Sequence, residues 1–301
     1  MKYLITGGTG LIGTKLIAEL RKKDDIEIAV LTRNSDLARI KLGNDINYIN
    51  KLTQESVDNQ DVIINLAGEP IADKRWSAAQ KEKICHSRWS ITDELVKLIS
   101  TAIHPPKVLI SGSAIGIYGR QNNHPIDESF VHYHEEFSHR ICKRWEKIAL
   151  AAQSQDTRVA ILRTGIVLDK YGGALAKMLP PFKLGLGGKI ADGTQRMSWI
   201  HIDDMVAAII YIIEQQSIDG VVNMTAPTPV SNLEFSKTLS KVLSRPCLFT
   251  TPQWMLKLIF GEMSDLLVYG QNVHPKKLLE HGFNFKYSYI NDALNQLLMK
   301  K

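Results

Sequence analysis

A glycine-rich segment near the start of the chain has the residue types and spacing that can bind a phosphate. It runs Thr6-Gly7-Gly8-Thr9-Gly10-Leu11-Ile12-Gly13, after an apolar strand-like run and before a helix-like stretch. Gly7 permits a tight turn, Gly10 lets the backbone approach a pyrophosphate, and Gly13 lets helix and strand pack closely. The helix start adds free N–H groups and a positive dipole end. In this context the segment predicts a dinucleotide site, and the alternative is a plain strand-turn-helix connection.

A basic residue indicates which dinucleotide would bind. Arg33 lies twenty positions after Gly13, where the second predicted strand ends. At this place an acidic residue binds the ribose 2′-hydroxyl of NAD, whereas an arginine accommodates the 2′-phosphate of NADP. Asp36 lies nearby, so a solvated surface arginine is the alternative. The sequence therefore predicts NADP (NADPH) as the cofactor.

Five apolar runs predict the strands that position this segment. They are residues 3–6, 28–31, 62–66, 108–110 and 159–162. Helix-length segments separate them, including one from about 134 to 153 with apolar side chains three or four residues apart. Parallel neighbours need such crossovers, so the predicted fold class is α/β, with a doubly wound parallel Rossmann sheet.

A change of pattern after Leu168 predicts a second, smaller part of the chain. A pair of prolines and repeated glycines interrupt regular structure there. We predict an NADP-binding Rossmann domain over residues 1–168 and a smaller C-terminal α/β substrate-side domain over residues 169–301. Residues 195–215, a short strand and a helix with Asp203 or Asp204 near its start, are predicted to return to the Rossmann domain.

Composition narrows the class of protein. The 301 residues include no apolar run of about 18 that could span a bilayer and no export signal, which predicts a cytoplasmic protein with no membrane partner. Three scattered cysteines without zinc-ligand spacing predict no metal site. The net charge of +6 is dispersed, which suits an anionic small ligand and predicts no nucleic-acid partner. We expect a monomer or homodimer that binds a small-molecule substrate.

Several stretches resemble a known family. The glycine-rich turn and "NLAGEP" (65–70) resemble the T-G-x-x-G-x-x-G and N-x-A-G segments of the extended short-chain dehydrogenase/reductase family. The stretches "RWSAAQKEKICHSR", "GGALAKMLPPFKLGLGGKIADGTQRMSWIHIDD", "NMTAPTPVSNLEF" and "HPKKLLEHGFNF" look like the YfcH-type epimerase-family branch, atypical members with a small C-terminal domain. The resemblance covers nearly the whole chain.

The resemblance implies a set of cofactor-binding residues. Those expected at the pyrophosphate are Gly7, Thr9, Gly10, Leu11 and Ile12. Thr32 and Arg33 are expected at the adenosine ribose phosphate, and Leu66, Ala67 and Gly68 at the adenine side. Arg88 is expected in the cofactor pocket and Val167 at the nicotinamide. The alternatives are a surface helical arginine for Arg88 and simple strand burial for Val167.

The catalytic residues of the resembled family are only partly present. That family uses a Ser or Thr at the end of the fifth strand and a Tyr-x-x-x-Lys pair on the next helix, where the lysine lowers the pKa of the phenol. Ser113 in "LISGSAIGIYG" is the candidate hydroxyl, with Ser111 as the alternative. No tyrosine in the chain has a lysine four residues later. Tyr118 is the candidate replacement, with Tyr133, His139 and the Asp127-Glu128 pair as alternatives.

Two functions are compatible with these residues. The first is an NADP(H)-binding oxidoreductase or epimerase-like enzyme of unknown substrate, in which Ser113 orients a carbonyl or hydroxyl group. The alternative is a non-catalytic, NADP(H)-responsive binding or regulatory protein, which the missing Tyr-x-x-x-Lys pair favours.

Overall fold

A computed structural model describes residues 1–299 as alternating strands and helices. The strands are β1 Lys2–Thr6, β2 Glu27–Leu31, β3 Asn47–Ile49, β4 Val62–Asn65, β5 Val108–Ala114, β6 Pro125–Ile126, β7 Arg158–Thr164, β8 Ile166–Leu168, β9 Gly188–Ile190, β10 Arg196–Met197, β11 Trp199–His201, β12 Gly220–Met224, β13 Val230–Ser231, β14 Phe249–Thr251 and β15 Asn272–Val273. The α-helices are α1 Leu11–Leu20, α2 Ser35–Leu42, α3 Gln54–Val57, α4 Ala78–Ser100, α5 Phe137–Leu150, α6 Gly173–Lys183, α7 Ile202–Glu214, α8 Asn232–Val242, α9 Gln253–Phe260, α10 Asp265–Val268, α11 Lys276–Glu280 and α12 Ile290–Leu298. Short 3-10 helices span Ile115–Tyr118 and Gly261–Ser264.

Seven strands form one parallel sheet in the order β12-β7-β5-β4-β1-β2-β3. The chain leaves β1 in one direction through β2 and β3, then returns to the other side of β1 at β4. Ligands of doubly wound sheets bind at this reversal, beyond the carboxyl ends of the strands. The predicted fold class is confirmed.

Alternate residues of the central strands supply two apolar layers. Ile5 and Ile64 lie in the layer beneath α1 and α7, whereas Leu4 and Ile63 lie in the layer that also contains side chains of α4 and α5. All four are fully buried. Helices cover both faces of the sheet, so the middle residues of these strands are apolar on both sides rather than alternately polar.

A separate apolar cluster supports the C-terminal part of the chain. It contains Leu179 and Phe182 of α6, Phe235 of α8 and Leu294 of α12, packed with Trp199 of β11. Short strand pairs attach this part to the rest, since β15 pairs with β6 and β11 pairs with β8.

The central sheet extends further along the chain than the predicted Rossmann ranges. Its strand β12 lies outside residues 1–168 and outside 195–215, yet it pairs with β7 along its whole length. The division into domains stays a prediction. Within residues 1–299, no helix combines the length and apolarity needed to cross a membrane.

Candidate cofactor-binding and active site

The glycine-rich turn joins β1 to α1 at the reversal of the sheet. Gly7 has a φ of +70°, and a Cβ atom there would lie 2.6 Å from the carbonyl carbon of Leu66, just after β4. A Cβ atom on Gly13 would collide with the carbonyl oxygen of Gly7. Both positions therefore need glycine because backbone packs directly against backbone. The turn is held against β4 by this contact.

The start of α1 faces an open space. Gly10 is exposed, and a Cβ atom there would meet only the carbonyl oxygen of Gly7, at 3.1 Å. Within the described chain no side chain caps the helix, no acidic residue lies in its first turn, and no backbone acceptor bonds the amides of Leu11, Ile12 and Gly13. Unpaired amides at the positive end of a helix dipole suit a phosphate group.

A buried chain of hydrogen bonds fixes the ends of β1 and β4. The Thr6 hydroxyl donates to Asn65 Oδ1 at 2.6 Å and accepts from the Ala67 amide at 3.2 Å. Asn65 Nδ2 donates to Thr92 Oγ1 at 2.8 Å, and Trp145 Nε1 donates to the same hydroxyl at 2.9 Å. Residues 66–68 are thereby held beside the glycine-rich turn.

Arg33 is available to an anion. Its side chain is exposed two residues after β2, and no acidic residue within 1–299 forms an ion pair with it. The preceding Thr32 amide donates to the Ile49 carbonyl oxygen at 2.9 Å, which ties this segment to β3. Asn34 caps α2 by accepting from the Leu37 amide at 3.0 Å.

Arg88 of α4 lies beside the loop that follows β4. Its Nη1 donates to the carbonyl oxygens of Glu69 and Ile84, both at 3.0 Å, and its guanidinium lies 5.4 Å from the centroid of the Trp145 ring. A Cβ atom on Gly68 would lie 3.0 Å from the guanidinium carbon. Burial lowers the pKa of Arg88.

Helix α6 lies against the glycine-rich turn. A Cβ atom on Gly172 would come within 2.7 Å of Leu11 Cδ1, and one on Gly173 within 3.3 Å of the Val167 carbonyl oxygen. Val167 is half-buried in β8 and packs against the layer beneath α1. The structure therefore brings Leu11 and Val167 to the same end of the sheet.

Ser113 belongs to a buried ionic network. Its hydroxyl donates to Glu146 Oε1 at 2.7 Å, and Arg163 donates to both oxygens of that carboxylate, at 3.0 and 2.8 Å. Ser113 and Arg163 are register partners on β5 and β7, so their side chains share one row, while Glu146 comes from α5 above them. Burial alone would lower the pKa of Arg163, but the hydrogen bonds and negative charge of Glu146, together with Tyr118, outweigh it and raise the pKa.

Tyr118 closes the other end of this network. Its ring is fully buried, and its hydroxyl donates to Asn223 Oδ1 at 2.7 Å and accepts from Arg163 Nη1 at 3.1 Å. Burial raises the pKa of Tyr118 to about 12. A phenol that is buried, makes two hydrogen bonds and stays protonated at neutral pH is poorly suited to transfer a proton. The geometry favours a structural role for Tyr118 over the predicted catalytic one.

The residues named as alternatives to Ser113 and Tyr118 differ in how far they are exposed to solvent. The Ser111 hydroxyl is fully buried, with only its neighbour's carbonyl oxygen 3.4 Å away. His139 is 1% exposed, with Nδ1 2.5 Å from the Ile117 carbonyl oxygen, whereas Tyr133 is half-exposed and its ring centre lies 5.3 Å from that of His139.

The face of helix α5 that would carry a Tyr-x-x-x-Lys pair is buried. Four side chains occupy the two candidate pairs of positions on α5: Phe137 with Ile141, and Ser138 with Cys142. All are buried. A Cβ atom on Gly116 would lie 3.1 Å from Ser138 Cβ, so a 3-10 turn packs directly on this face. Burial raises the pKa of Cys142 to about 12, which keeps it a thiol.

A small cavity lies at the start of α5. Its volume is about 210 Å³, and Trp76, Phe137, Arg120 and Arg140 are among the residues that line it. Arg120 bonds Glu136 at 3.0 Å and Asp265 at 2.6 Å, whereas Arg140 is exposed. The cavity therefore combines aromatic surface with an exposed guanidinium group.

Two family models match the chain. A family model described as the NAD dependent epimerase/dehydratase family matches residues 3–224. The chain belongs to this epimerase/dehydratase family. A second model, described as DUF1731, a domain of unknown function, matches residues 251–297. The resemblance inferred from the sequence motifs is confirmed.

Three members of this epimerase/dehydratase family illustrate the match. A chloroplastic SDR39U1 homolog of Arabidopsis thaliana, called an epimerase family protein, is 40% identical over 306 residues, covering 99% of this chain and 87% of its own. The epimerase family protein SAB0724c of Staphylococcus aureus is 37% identical over 300 residues, covering 99% of each chain. A crystal structure of human epimerase family protein SDR39U1 with NADPH has a TM-score of 0.88 and 30% identity, covering 99% of each chain.

Proposed function

We propose that this chain binds NADP(H) and acts as an oxidoreductase or epimerase-like enzyme on a small-molecule substrate that contains a carbonyl or hydroxyl group. The observation that carries the proposal is the set of unpaired amides of Leu11, Ile12 and Gly13 beside the open space at Gly10. The exposed Arg33 favours a cofactor with a 2′-phosphate. A related human protein crystallised with NADPH gives further support.

The residues that we assign to the cofactor are those predicted from the sequence. We assign Gly7, Thr9, Gly10, Leu11 and Ile12 to the pyrophosphate, Thr32 and Arg33 to the ribose phosphate, and Leu66, Ala67 and Gly68 to the adenine side. Arg88 is assigned to the cofactor pocket and Val167 to the nicotinamide. The cofactor, when bound, supplies or accepts a hydride. The Thr9 carbonyl oxygen already accepts from Lys41 Nζ at 2.6 Å, which steadies the turn.

Ser113 is the side chain that we assign to the substrate. Because its proton points to Glu146, its oxygen lone pairs can accept a hydrogen bond from a substrate hydroxyl. A proton from that hydroxyl could pass through Ser113 to the Glu146 carboxylate, which Arg163 holds in place. In this proposal Glu146 takes the role that the missing Tyr-x-x-x-Lys pair has in related enzymes.

The cofactor assignment is tested by Arg33→Asp. We expect at least a tenfold loss of NADPH affinity in titration calorimetry, with little change in NADH affinity, because a phosphate partner is replaced by a like charge. Arg245→Asp is the matched control, since Arg245 is also exposed and lies in a different part of the chain. Equal effects of Arg33→Asp on both cofactors would refute the assignment.

A non-catalytic, NADP(H)-responsive role is the second candidate. It is favoured by the burial of Ser113 and Tyr118 in the network described above, and by the burial of the α5 face that would carry a Tyr-x-x-x-Lys pair. Oxidation of NADPH in the presence of a panel of aldehydes and ketones, lost in Glu146→Gln, would support the enzyme. Tight NADPH binding without turnover on any carbonyl, together with a partner that is captured only when NADPH is present, would support the second candidate instead.

A further inference from the structure

Helix α9 exposes apolar side chains on the side that faces away from the protein. Trp254 and Leu258 are 66% and 71% exposed, and Met255 and Ile259 lie beside them, one helical turn apart. Leu256, by contrast, is buried. A helix that is apolar on its buried side and on most of its exposed side is unusual at a water-facing surface.

The exposed apolar surface continues onto β14 and onto the segment that follows α6. Strand β14 lies two residues before α9 and pairs with β9, and a Cβ atom on Gly185 would lie 3.5 Å from Pro246 Cγ. The segments that carry the exposed side chains therefore adjoin one another. We call this surface the apolar patch, and it comprises Leu186, Leu248, Phe249, Trp254, Leu258 and Ile259.

The patch is larger than the largest apolar patch of a typical monomer. All six residues are more than half exposed. At about 150–250 Å² for a fully exposed large side chain, they present roughly 700 Å² together. The largest patch on a typical monomer is about 300–600 Å², and larger ones mark interaction sites.

Basic side chains outnumber acidic ones in the segments that carry the patch. Residues 169–192 and 234–262 contain eight of the 37 basic residues and four of the 31 acidic ones, a net charge of +4, and the rest of the chain has 29 basic against 27 acidic residues. Lys183, Arg245 and Lys257 lie within three residues of patch residues in sequence, are exposed, and form no ion pair with any residue in 1–299. Most of the net positive charge of the chain thus lies in the two segments that form the patch.

We propose that the apolar patch docks onto the surface of a membrane that contains anionic lipids. Trp254, Phe249 and the leucines would enter the headgroup–acyl boundary, where aromatic side chains are favoured, and the basic side chains would reach the lipid phosphates. A second copy of the chain fits less well, because it would place one basic rim against another. The expectation of no membrane partner rested on the absence of a spanning segment, which a surface-bound protein does not need.

Vesicle flotation with the full chain tests the proposal. We expect binding to vesicles of phosphatidylcholine and phosphatidylglycerol in equal amounts, weak binding to phosphatidylcholine alone, and release as the salt concentration rises. Trp254→Ser with Leu258→Ser, and separately Lys183→Glu with Arg245→Glu and Lys257→Glu, should each weaken binding at least tenfold. All these side chains are exposed, so the thermal midpoint of unfolding should not change.

The matched control reverses the charge of three exposed lysines outside the patch. Lys51→Glu with Lys83→Glu and Lys147→Glu changes the net charge by the same amount at positions outside the patch and should retain most of the binding. Failure of the wild type to float with anionic vesicles at low salt would overturn the proposal, as would equal losses in the two triple variants. A dimer in sedimentation equilibrium that Trp254→Ser with Leu258→Ser dissociates would assign the patch to a second copy and also overturn it.

Discussion

The buried network around Arg163 uses one residue from each of three neighbouring strands. Ser113, Arg163 and Asn223 are register partners on β5, β7 and β12, and they form one polar row at the carboxyl end of the sheet. Glu146 and Tyr118 complete the row from α5 and the 3-10 turn. Removing one member leaves a buried partner unsatisfied, which costs more free energy than the lost bond itself.

Tyr118→Phe tests this network. At neutral pH the change leaves Asn223 Oδ1 and Arg163 Nη1 without the phenol, and we expect a loss of about 1–3 kcal/mol in the free energy of unfolding by urea denaturation. Because burial raises the pKa of Tyr118 to about 12, the folded state holds its proton more tightly than the unfolded chain does. The wild-type advantage should be full below pH 10 and decline by roughly 2–3 kcal/mol by pH 12.

Tyr171→Phe is the control, because Tyr171 is 86% exposed. It should leave the free energy of unfolding unchanged at neutral pH and should not alter its slope between pH 10 and 12. A wild-type advantage over Tyr118→Phe that stays constant across this range would contradict the assignment of a buried, protonated phenol.

The sequence contains a signal for this network that the motif comparison missed. Arg163 directly follows the apolar run 159–162, and Glu146 lies on a predicted amphipathic helix. A charge inside a buried strand needs a partner, so such a pair could have been suspected. The geometry of the pair could not be predicted from the sequence, because it depends on the register of β5 with β7 and on the way α5 packs above them.

Elements were predicted well where their own residues determine them. The apolar runs at β1, β2, β4, β5 and β7 match the observed strands to within a few residues, and the glycine-rich turn leads into α1 as expected. The short strand β3 was not predicted, nor was β12, because pairing with β2 and β7 decides that they are strands. Helix α5 begins at Phe137, a few residues later than predicted.

The start of α7 shows a tertiary contact overriding a local preference. Asp203 and Asp204 lie in the first turn as predicted, but the cap is His201, whose Nδ1 accepts from the Asp203 amide at 3.0 Å. The Asp204 carboxylate instead accepts from the amides of Lys286 and Tyr287, both at 2.9 Å. His201 Nε2 lies 2.9 Å from Gln296 Oε1, so the neutral ring donates there and accepts at the cap.

This cap predicts a pH-dependent stability. Burial lowers the pKa of His201, so its contribution should be full above about pH 6.5 and disappear as the pH falls through the lowered value. His201→Asn keeps a capping oxygen that cannot be protonated. Between pH 7 and pH 5 we expect the wild type to lose roughly 1 kcal/mol more than this variant in denaturant titrations.

The control for the cap is His124→Asn, because His124 is exposed. This variant should have nearly the same dependence of the free energy of unfolding on pH as the wild type. Parallel acid profiles for the wild type and His201→Asn would show that protonation of His201 does not weaken α7.

At the scale of the whole molecule, the crevice at the reversal of the sheet is bridged by side chains from distant parts of the chain. Lys177 of α6 donates to the Ala72 carbonyl oxygen at 3.0 Å and pairs with Asp73, in the loop that follows β4. Helix α6 contacts Leu11, and that loop begins at the segment packed on Gly7. The bridge thus joins the two sides of the proposed cofactor site, a relation that spans more than a hundred residues and has no local sequence signal.

Opening this bridge should change the rates of cofactor exchange more than the affinity. Lys177 and Asp73 are both exposed, and an exposed ion pair contributes only about 0–1 kcal/mol. In Lys177→Met we therefore expect association and dissociation of NADPH, followed by stopped-flow fluorescence, to accelerate together by a few-fold while Kd changes less than threefold. Lys97→Met removes a comparable exposed pair within α4, Lys97 with Asp93, and should leave both rates unchanged. If Lys177→Met instead changes only one of the two rates, with a matching change in Kd, or changes neither rate, the bridge does not gate the crevice, and the contact between α6 and the loop serves only to hold the two halves of the fold together.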